Sequence, residues 1–154
     1  MFHPKKRRGF SLIELLIVIA IILIIITIAM PKLQRAQIAA RDMAAIQAIK
    51  TIHTVEVQYY SQYGTYATTL AQLGPPASGN PSAASADLID NTLAGGEKQG
   101  YKFTLSGIPG GYVILASPVA FNSSGSKNFY SDQTMVIHVN EGPEPATAQN
   151  KELR

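Results

Sequence analysis

A nearly unbroken apolar run, Phe10 to Met30, constrains the fold of this chain more than any other part of its sequence. Its only polar side chains belong to Ser11, Glu14 and Thr27. At about 1.5 Å per residue, a helix of this length extends roughly 30 Å, the thickness of the hydrocarbon core of a bilayer. The run therefore predicts one membrane-spanning helix, and the chain that follows it has room for one small domain, which we call the head.

Four basic residues stand immediately before the apolar run: Lys5, Lys6, Arg7 and Arg8. Positive charge beside a membrane helix favours the cytoplasmic side, so this cluster predicts a cytoplasmic N-terminus. Three further basic residues follow the run and weaken this bias: Lys32, Arg35 and Arg41.

A secretory signal peptide is the alternative interpretation of a basic cluster followed by an apolar run. Such a peptide has an apolar stretch of about 7–15 residues and then a small-residue cleavage site of A-x-A type. The run in this chain is longer, and its end, ITIAMPKL, contains no such site. The small residue Gly9 lies before the run instead. Cleavage there would remove the charged leader and leave the helix attached to the head.

The sequence KKRRGFSLIELLIVIAIILIIITIAMP resembles the N-terminus of type IV prepilins and of the related pseudopilins of type II secretion. The resemblance implies that a membrane prepilin peptidase cleaves between Gly9 and Phe10 and that the new Phe10 amine is then methylated. Glu14 falls at the family's acidic fifth position of the mature chain, and Pro31 falls at its helix-kinking proline. The resemblance covers the N-terminal segment only, so it does not define the head.

The same resemblance implies where the chain resides and what it binds. We expect a single-pass protein of the inner membrane, with its N-terminus in the cytoplasm, its head in the periplasm and lipid around its helix. An assembly platform in that membrane would then move many copies into an extracellular or periplasmic filament, a helical homo-oligomer. The resemblance implies no cofactor.

Glu14 is the one ionisable side chain in the apolar run. A charged residue at mid-membrane costs about 2.5–3.5 kcal/mol on insertion scales. In a filament, the Phe10 amine of one subunit would approach Glu14 of its neighbour, and opposite charges 4 Å apart attract by roughly 4 kcal/mol at an effective dielectric constant of about 20. We expect this pair to offset the burial cost and to fix the axial register. Alternatively, Glu14 reaches the headgroup region and has no role in assembly.

Pro31 has two interpretations, because a proline inside a helix removes a hydrogen bond and clashes with the preceding turn. It could end the membrane helix or kink a longer one. The sequence that follows is rich in alanine and contains no glycine until Gly64. We therefore predict one long helix, from Phe10 to about Tyr63, with a kink or a locally melted turn at Pro31.

We predict an α+β fold in which this long helix packs against a small antiparallel sheet of three to four strands. The predicted organisation is a cleaved leader (1–9), a membrane and filament-core helix (10–31), an amphipathic helix (32–64), an αβ-loop with short helices (65–99), the sheet (100–140) and a flexible tail (141–154).

Apolar residues recur after Pro31 at multiples of three or four, as in an amphipathic helix with one face toward a sheet. They are Ile38, Ile46, Ile49, Ile52 and Val55, interleaved with Arg41, Lys50, His53 and Glu56. A tyrosine cluster ends this helix: Tyr59, Tyr60, Tyr63 and Tyr66. Such a cluster raises the hypothesis of electron transport along a filament. Aromatic side chains near a helix end more often complete a core, and we favour that interpretation.

The αβ-loop region contains two short helical patterns. TTLAQLG (68–74) predicts one turn capped by a threonine, and PPASGNPSAAS (75–85) predicts a surface loop. SADLIDNTLAGG (85–96) predicts a short helix with Ser85 as its N-cap. The apolar residues and the stop glycines of that helix are Leu88, Ile89, Leu93, Gly95 and Gly96.

From Gly100 onward the apolar period changes to two, which is typical of half-buried strands. The predicted strands lie in GYKFTLSG (100–107), YVILASPV (112–119), Phe129–Tyr130 and Met135–Val139, with turns at IPGG (108–111), NSSGS (122–126) and Ser131–Gln133. Because a sheet of so few strands is not stable alone, we expect it to pack on the helix face between Ile46 and Tyr63. The tail is polar with two prolines, which predicts flexibility.

Composition argues against several classes of function. The chain has 13 basic and 10 acidic residues, but without the leader nine basic residues face ten acidic ones, so nucleic-acid binding is not indicated. There is no cysteine for a disulfide or a thiolate metal site. His3, His53 and His138 lack the short spacing of metal-binding helices. We predict no metal site.

A membrane-anchored enzyme or binding head is the alternative from a different class. A hydrolase needs a nucleophile beside a base, and a metalloenzyme needs clustered ligands. The candidates beyond the leader are His53, His138, Asp132, Glu56 and loop serines, and no motif joins them. We therefore predict no catalytic residue and a structural role.

The predicted function is that of a structural subunit of a type IV pilus or pilus-like filament, and the alternative within the resemblance is a type II secretion pseudopilin. Major pseudopilins usually carry an Asp-Pro-Trp-Gly segment and a calcium-binding loop. This chain has no tryptophan, and it has only Asp132 in the corresponding SDQT turn. The missing cysteines depart from the many type IV pilins that have a C-terminal disulfide, so the resemblance does not extend to a host-adhesive pilin.

Overall fold

The structure is a computed structural model that describes residues 9–153. The described chain falls into two units, one ending at Ala36 and the other beginning at Gln37. Helix α1, from Leu12 to Tyr63, contributes to both. The predicted long N-terminal helix is therefore confirmed, and it begins two residues after Phe10.

The first part of α1 exposes its apolar side chains on every side. All large apolar residues from Leu12 to Leu33 are at least 44% exposed. Of the helices in residues 9–153, α1 is the one that is long and apolar enough to cross a membrane. A helix that is apolar all round is suited to hydrocarbon or to the centre of a helix bundle.

Pro31 lies within α1, and the helix continues through it. Proline has no N–H with which to bond the carbonyl of Thr27, four residues earlier. The interpretation that Pro31 ends the membrane helix is therefore wrong, while the kink remains a prediction.

The second part of α1 has one buried face. Its most buried apolar residues are Ala45, Ala48, Ile49, Ile52, Val55 and Tyr59. The helix ends at Tyr63 because Gly64 adopts a φ of +73°, a left-handed conformation that favours glycine, and donates its N–H to the Tyr60 carbonyl over 2.8 Å.

Two residues interleaved with the apolar positions lie on the buried face instead of a polar one. His53 is 4% exposed and Glu56 is fully buried. The helical spacing explains this result, since residues 53 and 56 stand four and seven positions after Ile49 and therefore share its face. Lys50, about 100° around the helix from Ile49, is exposed.

Two short helices follow α1. Helix α2 spans Leu70–Leu73, and the Gln72 side chain accepts a hydrogen bond from the backbone N–H of its N-cap, Thr69, over 3.2 Å. Helix α3 spans Asn91–Ala94 and ends at Gly95. The threonine cap and the stop glycine agree with the sequence prediction.

The predicted N-cap of the second short helix, Ser85, is wrong. Asp90 occupies that position, and its Oδ1 accepts a hydrogen bond from the Leu93 N–H over 2.9 Å. Ser85 instead pairs with Ser82 through two backbone hydrogen bonds. The chain from Ala86 to Ile89 is held by backbone bonds to residues 72–74, so it cannot enter a helix.

The sheet has six antiparallel strands arranged in chain order. They are β1 (Glu97–Lys98), β2 (Tyr101–Ile108), β3 (Gly111–Pro118), β4 (Asn128–Asp132), β5 (Ile137–Asn140) and β6 (Lys151–Glu152). The expected three to four strands correspond to β2–β5. The strands β1 and β6 have two residues each, which is too short for an alternating pattern to be visible in the sequence.

The C-terminal tail, expected to be flexible, forms part of the head. Strand β6 pairs with β5, and the Leu153 N–H donates to the Ile137 carbonyl over 2.7 Å. Ala146 is 3% exposed, and Leu153 packs against the core. These two apolar residues in a mostly polar segment provide the anchors that composition alone obscured.

One hydrophobic core joins the buried face of α1 to the sheet. The alternation predicted for β2 is present, since Tyr101, Phe103 and Leu105 are buried while the residues between them are exposed. Tyr59 is buried, and Tyr63 and Tyr66 pack at the edge of the core, while Tyr60 is 49% exposed. Three of the four clustered tyrosines thus contribute to packing.

Candidate processing and assembly site

The predicted cleavage bond lies in exposed, non-helical chain. Gly9 and Phe10 precede the first residue of α1, and Phe10 is 79% exposed. A Cβ atom added to Gly9 would meet nothing within 4 Å. The bond between Gly9 and Phe10 is thus sterically open to a peptidase. The orientation residues Lys5, Lys6, Arg7 and Arg8 lie outside the described residues.

Helix α1 begins with a recognisable N-terminal arrangement. The Ser11 carbonyl accepts hydrogen bonds from the N–H groups of Glu14 and Leu15, over 3.1 and 3.2 Å. Ser11 therefore stands at the N-cap and Glu14 at the third helical position, the Ser-x-x-Glu spacing of a capping box. A carboxylate in the first turn also interacts favourably with the positive end of the helix dipole, which stabilises a helix by about 0.3–1 kcal/mol. The side-chain bonds of a capping box are absent among the described residues, so the contribution of Glu14 to its own helix is this interaction with the helix dipole.

The polar residues inside the apolar segment are treated differently by the fold. The Thr27 hydroxyl donates to the Ile24 carbonyl of its own helix over 2.8 Å, so its polarity is satisfied locally. The Glu14 side chain is exposed, and within residues 9–153 it makes neither a hydrogen bond nor an ion pair. Local structure therefore accommodates Thr27 in an apolar environment, whereas residues 9–153 offer the Glu14 carboxylate no such partner.

The head contains a buried polar network centred on His53. Its Nδ1 lies 2.7 Å from the Tyr112 hydroxyl, and its Nε2 lies 2.7 Å from the Ser131 hydroxyl. Ser131 donates its only hydroxyl proton to the Val136 carbonyl over 2.7 Å. Nε2 must therefore carry the imidazole proton and donate to Ser131, while Nδ1 accepts from Tyr112.

This network places a serine beside a histidine, as an enzyme of the hydrolase class would require. The direction of the bonds is the reverse of what catalysis needs, because a nucleophilic serine donates its proton to the histidine. Ser131 is also fully buried, so a substrate has no access to its hydroxyl. The arrangement is that of a satisfied core network. Burial lowers the pKa of His53 and outweighs the opposing effect of the nearby Asp132 carboxylate.

Asp132 and His138 lie near this network, but the hydrogen bonds they make are to other residues. The Asp132 Oδ1 accepts hydrogen bonds from the N–H and the hydroxyl of Thr134, over 2.9 and 2.6 Å. His138 Nδ1 lies 2.8 Å from the Asn150 carbonyl oxygen. Among residues 9–153, no three His, Asp or Glu side chains are grouped as a metal site.

Glu56 is a fully buried carboxyl group with one hydrogen-bond partner. Its Oε2 accepts from the Ala67 N–H over 3.0 Å. Its Oε1 is the buried side-chain polar atom that has no partner among the described residues. Burial raises the pKa of Glu56 to about 7, although the bond from Ala67 opposes this effect. Burial therefore favours the protonated form of Glu56, whereas the bond from Ala67 favours the ionised form.

Asp42 joins helix α1 to the loop before β4. Its Oδ1 accepts from the Tyr101 hydroxyl over 2.6 Å and from the Ser126 N–H over 3.0 Å. Its Oδ2 accepts from the Ser126 hydroxyl over 2.6 Å. Neighbouring Gly125 is required for this contact, since a Cβ atom there would overlap the Tyr101 ring. Asp42 was not predicted as a buried residue, and its position three residues before Ala45, on the buried face, is the signal that could have found it.

Comparison with known proteins finds a matching family for the N-terminal segment alone. Residues 4–30 match the family described as the prokaryotic N-terminal methylation motif. No curated protein matches the chain, and no solved structure matches it. The matched residues include the exposed Gly9–Phe10 bond, Glu14 and most of the apolar part of α1. The chain thus carries the prepilin-type N-terminal methylation motif, which supports its place in the type IV pilin and pseudopilin class of proteins.

Proposed function

We propose that this protein is a structural subunit of a type IV pilus or a closely similar filament. The observation that carries the proposal is the N-terminus of α1, where an exposed Gly–Phe bond precedes an exposed apolar helix with one carboxylate in its first turn. The head gives the chain a folded coat domain with a core of its own. The matched methylation motif supports processing and assembly of this kind.

The proposed processing begins in the inner membrane, with the N-terminus in the cytoplasm and the head in the periplasm. A prepilin peptidase hydrolyses the Gly9–Phe10 bond, and a methyl group is transferred to the Phe10 amine. This cleavage separates the four leader charges from the helix. It also creates a cationic amine four residues before Glu14.

In the proposed filament, the Phe10 amine of one subunit pairs with Glu14 of an adjacent one. The pair is favourable because the attraction of roughly 4 kcal/mol at 4 Å compares with the roughly 2.5–3.5 kcal/mol that a lone charge costs in hydrocarbon. A subunit outside the filament keeps that cost. Pairing thus favours docking at a growing end, driven by an assembly platform in the inner membrane.

Two features favour a pilus over a type II secretion pseudopilus. The chain contains no tryptophan, so it lacks the Asp-Pro-Trp-Gly segment that the pseudopilin resemblance would imply. Asp132, in the turn that would correspond to a calcium-binding loop, uses Oδ1 to bind Thr134 and close the local turn.

Mass spectrometry of filaments sheared from the producing cells tests the processing. The expected N-terminal peptide begins with Phe10 and carries one additional methyl group. An N-terminal peptide beginning at Met1, or at a residue after Ala29, would contradict the proposal. Peptide identification in the same filaments shows whether this chain is their subunit.

Assembly is tested with a Glu14→Leu variant and a matched Thr27→Val control. Each change removes one polar group from the apolar segment, but Thr27 is already bonded within its helix. We expect both variants to be inserted and cleaved, and we expect only Glu14→Leu to lose most of its filament yield. Normal filaments from Glu14→Leu would eliminate the charge pair.

A further inference from the structure

Two basic residues stand directly after the apolar part of α1. Lys32 and Arg35 are both exposed, and they lie three positions apart on a continuous helix. Side chains with this spacing are neighbours on one helix face, about 5–6 Å apart at their Cβ atoms. The two cations can therefore approach the same anionic group.

Neither cation has an acidic neighbour on its own helix. The sequence from Leu15 to Arg41 contains no Asp and no Glu. The next carboxylate, Asp42, is 6% exposed and is already bonded to Tyr101 and Ser126. The counter-charge for Lys32 and Arg35 must come from outside this helix.

The length of the apolar segment determines where these cations lie in a membrane. The residues from Leu12 to Pro31 span about 30 Å as a helix, which matches the hydrocarbon thickness. The Lys32 Cα atom then lies at the hydrocarbon boundary opposite the N-terminus, and the side chains of Lys32 and Arg35 reach the level of the lipid phosphates. Long basic side chains at this level extend toward the headgroups.

We propose that Lys32 and Arg35 bind the phosphate groups of anionic phospholipids in the periplasmic leaflet and thereby set the depth of Glu14. This inference rests on the proposed membrane-held subunit. The Cα atoms of Glu14 and Lys32 are about 27 Å apart along the helix, slightly less than the hydrocarbon core. Attachment at the far headgroups therefore holds Glu14 about 3 Å inside the near boundary, where its unpaired charge is costly.

The lipid contact thus gives the stored subunit a defined axial position. Each basic residue near an anionic membrane surface favours binding by about fivefold. Removing both charges allows the helix to move toward the cytoplasmic side until Glu14 reaches the headgroups. Anionic lipid and Glu14 are in this way coupled through one continuous helix.

The test uses the full-length chain in vesicles that contain a photoactivatable phosphatidylglycerol, with the label in its headgroup. Labelling of residues 32–41 is measured by peptide mapping and divided by labelling of the basic leader, which serves as an internal reference. Lys32→Gln with Arg35→Gln is compared with Lys50→Gln with Lys102→Gln, an equal loss of charge at exposed positions away from the apolar segment. We expect the first pair to reduce the ratio at least fivefold and the second to leave it unchanged.

A depth measurement provides the second readout. The chain has no cysteine, so Ile13→Cys carries a single spin label beside Glu14. Collision with dissolved oxygen and with a water-soluble relaxant should place this label about 3 Å deeper in the wild type than in the Lys32→Gln, Arg35→Gln variant. The proposal would be contradicted if a phosphatidylcholine analogue labelled residues 32–41 with the same efficiency as the anionic lipid.

Other outcomes separate this inference from the proposed function. Equal labelling ratios in all variants would overturn the lipid contact. If the Lys32→Gln, Arg35→Gln variant instead loses chemical cross-links between chains, the two cations bind a second copy of the chain. If alkaline washing removes the chain from the vesicles, the proposal that the subunit is embedded in the membrane is itself wrong. If the chain stays embedded but labelling is unaffected, only the lipid contact fails.

Discussion

The carboxyl group of Glu56, buried in helix α1, accepts a hydrogen bond from the Ala67 N–H over 3.0 Å. This bond ties the last turns of the helix to the segment that follows Gly64. Near Glu56 lie the hydroxyls of Tyr59 and Tyr112, and burial raises the pKa of both. The protonation state of Glu56 should therefore be visible in the stability of the head.

We expect the head to lose stability as the pH rises from about 4.5 to about 7. The pKa of Glu56 is about 7 in the folded chain against an ordinary value of 4.5, so the folded state binds the proton more tightly. The stabilisation is complete below the lower pKa and is lost as the pH rises through the higher one. The difference corresponds to about 3 kcal/mol. Urea unfolding of the full chain in detergent micelles measures it.

Glu56→Gln should flatten this pH dependence, because the amide cannot ionise but can still accept the Ala67 N–H. Glu97→Gln changes an exposed carboxylate and serves as the control. A pH profile for Glu56→Gln that follows the wild type would show that another group is responsible.

His53 should produce the opposite trend at lower pH. Burial lowers the pKa of His53 below its ordinary 6.5, so the unfolded state binds the proton more tightly. The contribution of His53 is therefore complete above pH 6.5 and falls as the pH decreases below that value. Nitrogen NMR at neutral pH should show the proton on Nε2. A proton on Nδ1 would contradict the bond directions assigned to this network.

Removing the Tyr112 hydroxyl, which donates a hydrogen bond to His53, should destabilise the head. In Tyr112→Phe the buried Nδ1 loses its donor, and an unsatisfied buried acceptor costs about 1–3 kcal/mol. Tyr60→Phe is the control, since Tyr60 is about half exposed. Equal unfolding midpoints for the two variants would show that the Tyr112 bond contributes little.

The Asp42 contacts predict a large effect from one substitution. Asp42→Ala removes the acceptor of Tyr101 and of both Ser126 donors, and we expect a loss of at least about 3 kcal/mol, since a single hydrogen bond to a charged group contributes about 1.5–3 kcal/mol. Ser126→Ala removes one of these bonds and should cost less. Urea unfolding ranks the two, and hydrogen exchange should show the Ser126 amide losing protection in Asp42→Ala. A reversed order would reject Asp42 as the centre of this contact.

Local sequence patterns were sufficient for much of this fold. The apolar run determined the first part of α1, the period of two determined β2, and Gly64 marked the helix end. In each case the signal came from neighbouring residues and needed no tertiary information.

The features that were not predicted depend on contacts between distant residues. His53 and Glu56 are polar, and only their partners Tyr112, Ser131 and Ala67 make them tolerable in a core. Asp90 displaced Ser85 as an N-cap because the backbone between them is bonded to the α2 turn.

The candidate site likewise has a part that local sequence predicts and a part that depends on contacts with other residues or chains. The Gly9–Phe10 bond and Glu14 follow from the N-terminal sequence, and the structure adds their exposure and the capping geometry at Ser11. Pairing between subunits involves a second chain, so it remains a proposal.

The brevity of the two outermost strands bears on how copies of this protein can be crowded together safely. A long unpaired strand at a sheet margin recruits other chains by backbone pairing, which is a route to amyloid. Here the margins are the two-residue strands β1 and β6, and β6 consists of the charged residues Lys151 and Glu152. In the proposed filament, neighbouring heads can therefore touch without merging their sheets, which keeps ordered polymerisation distinct from aggregation.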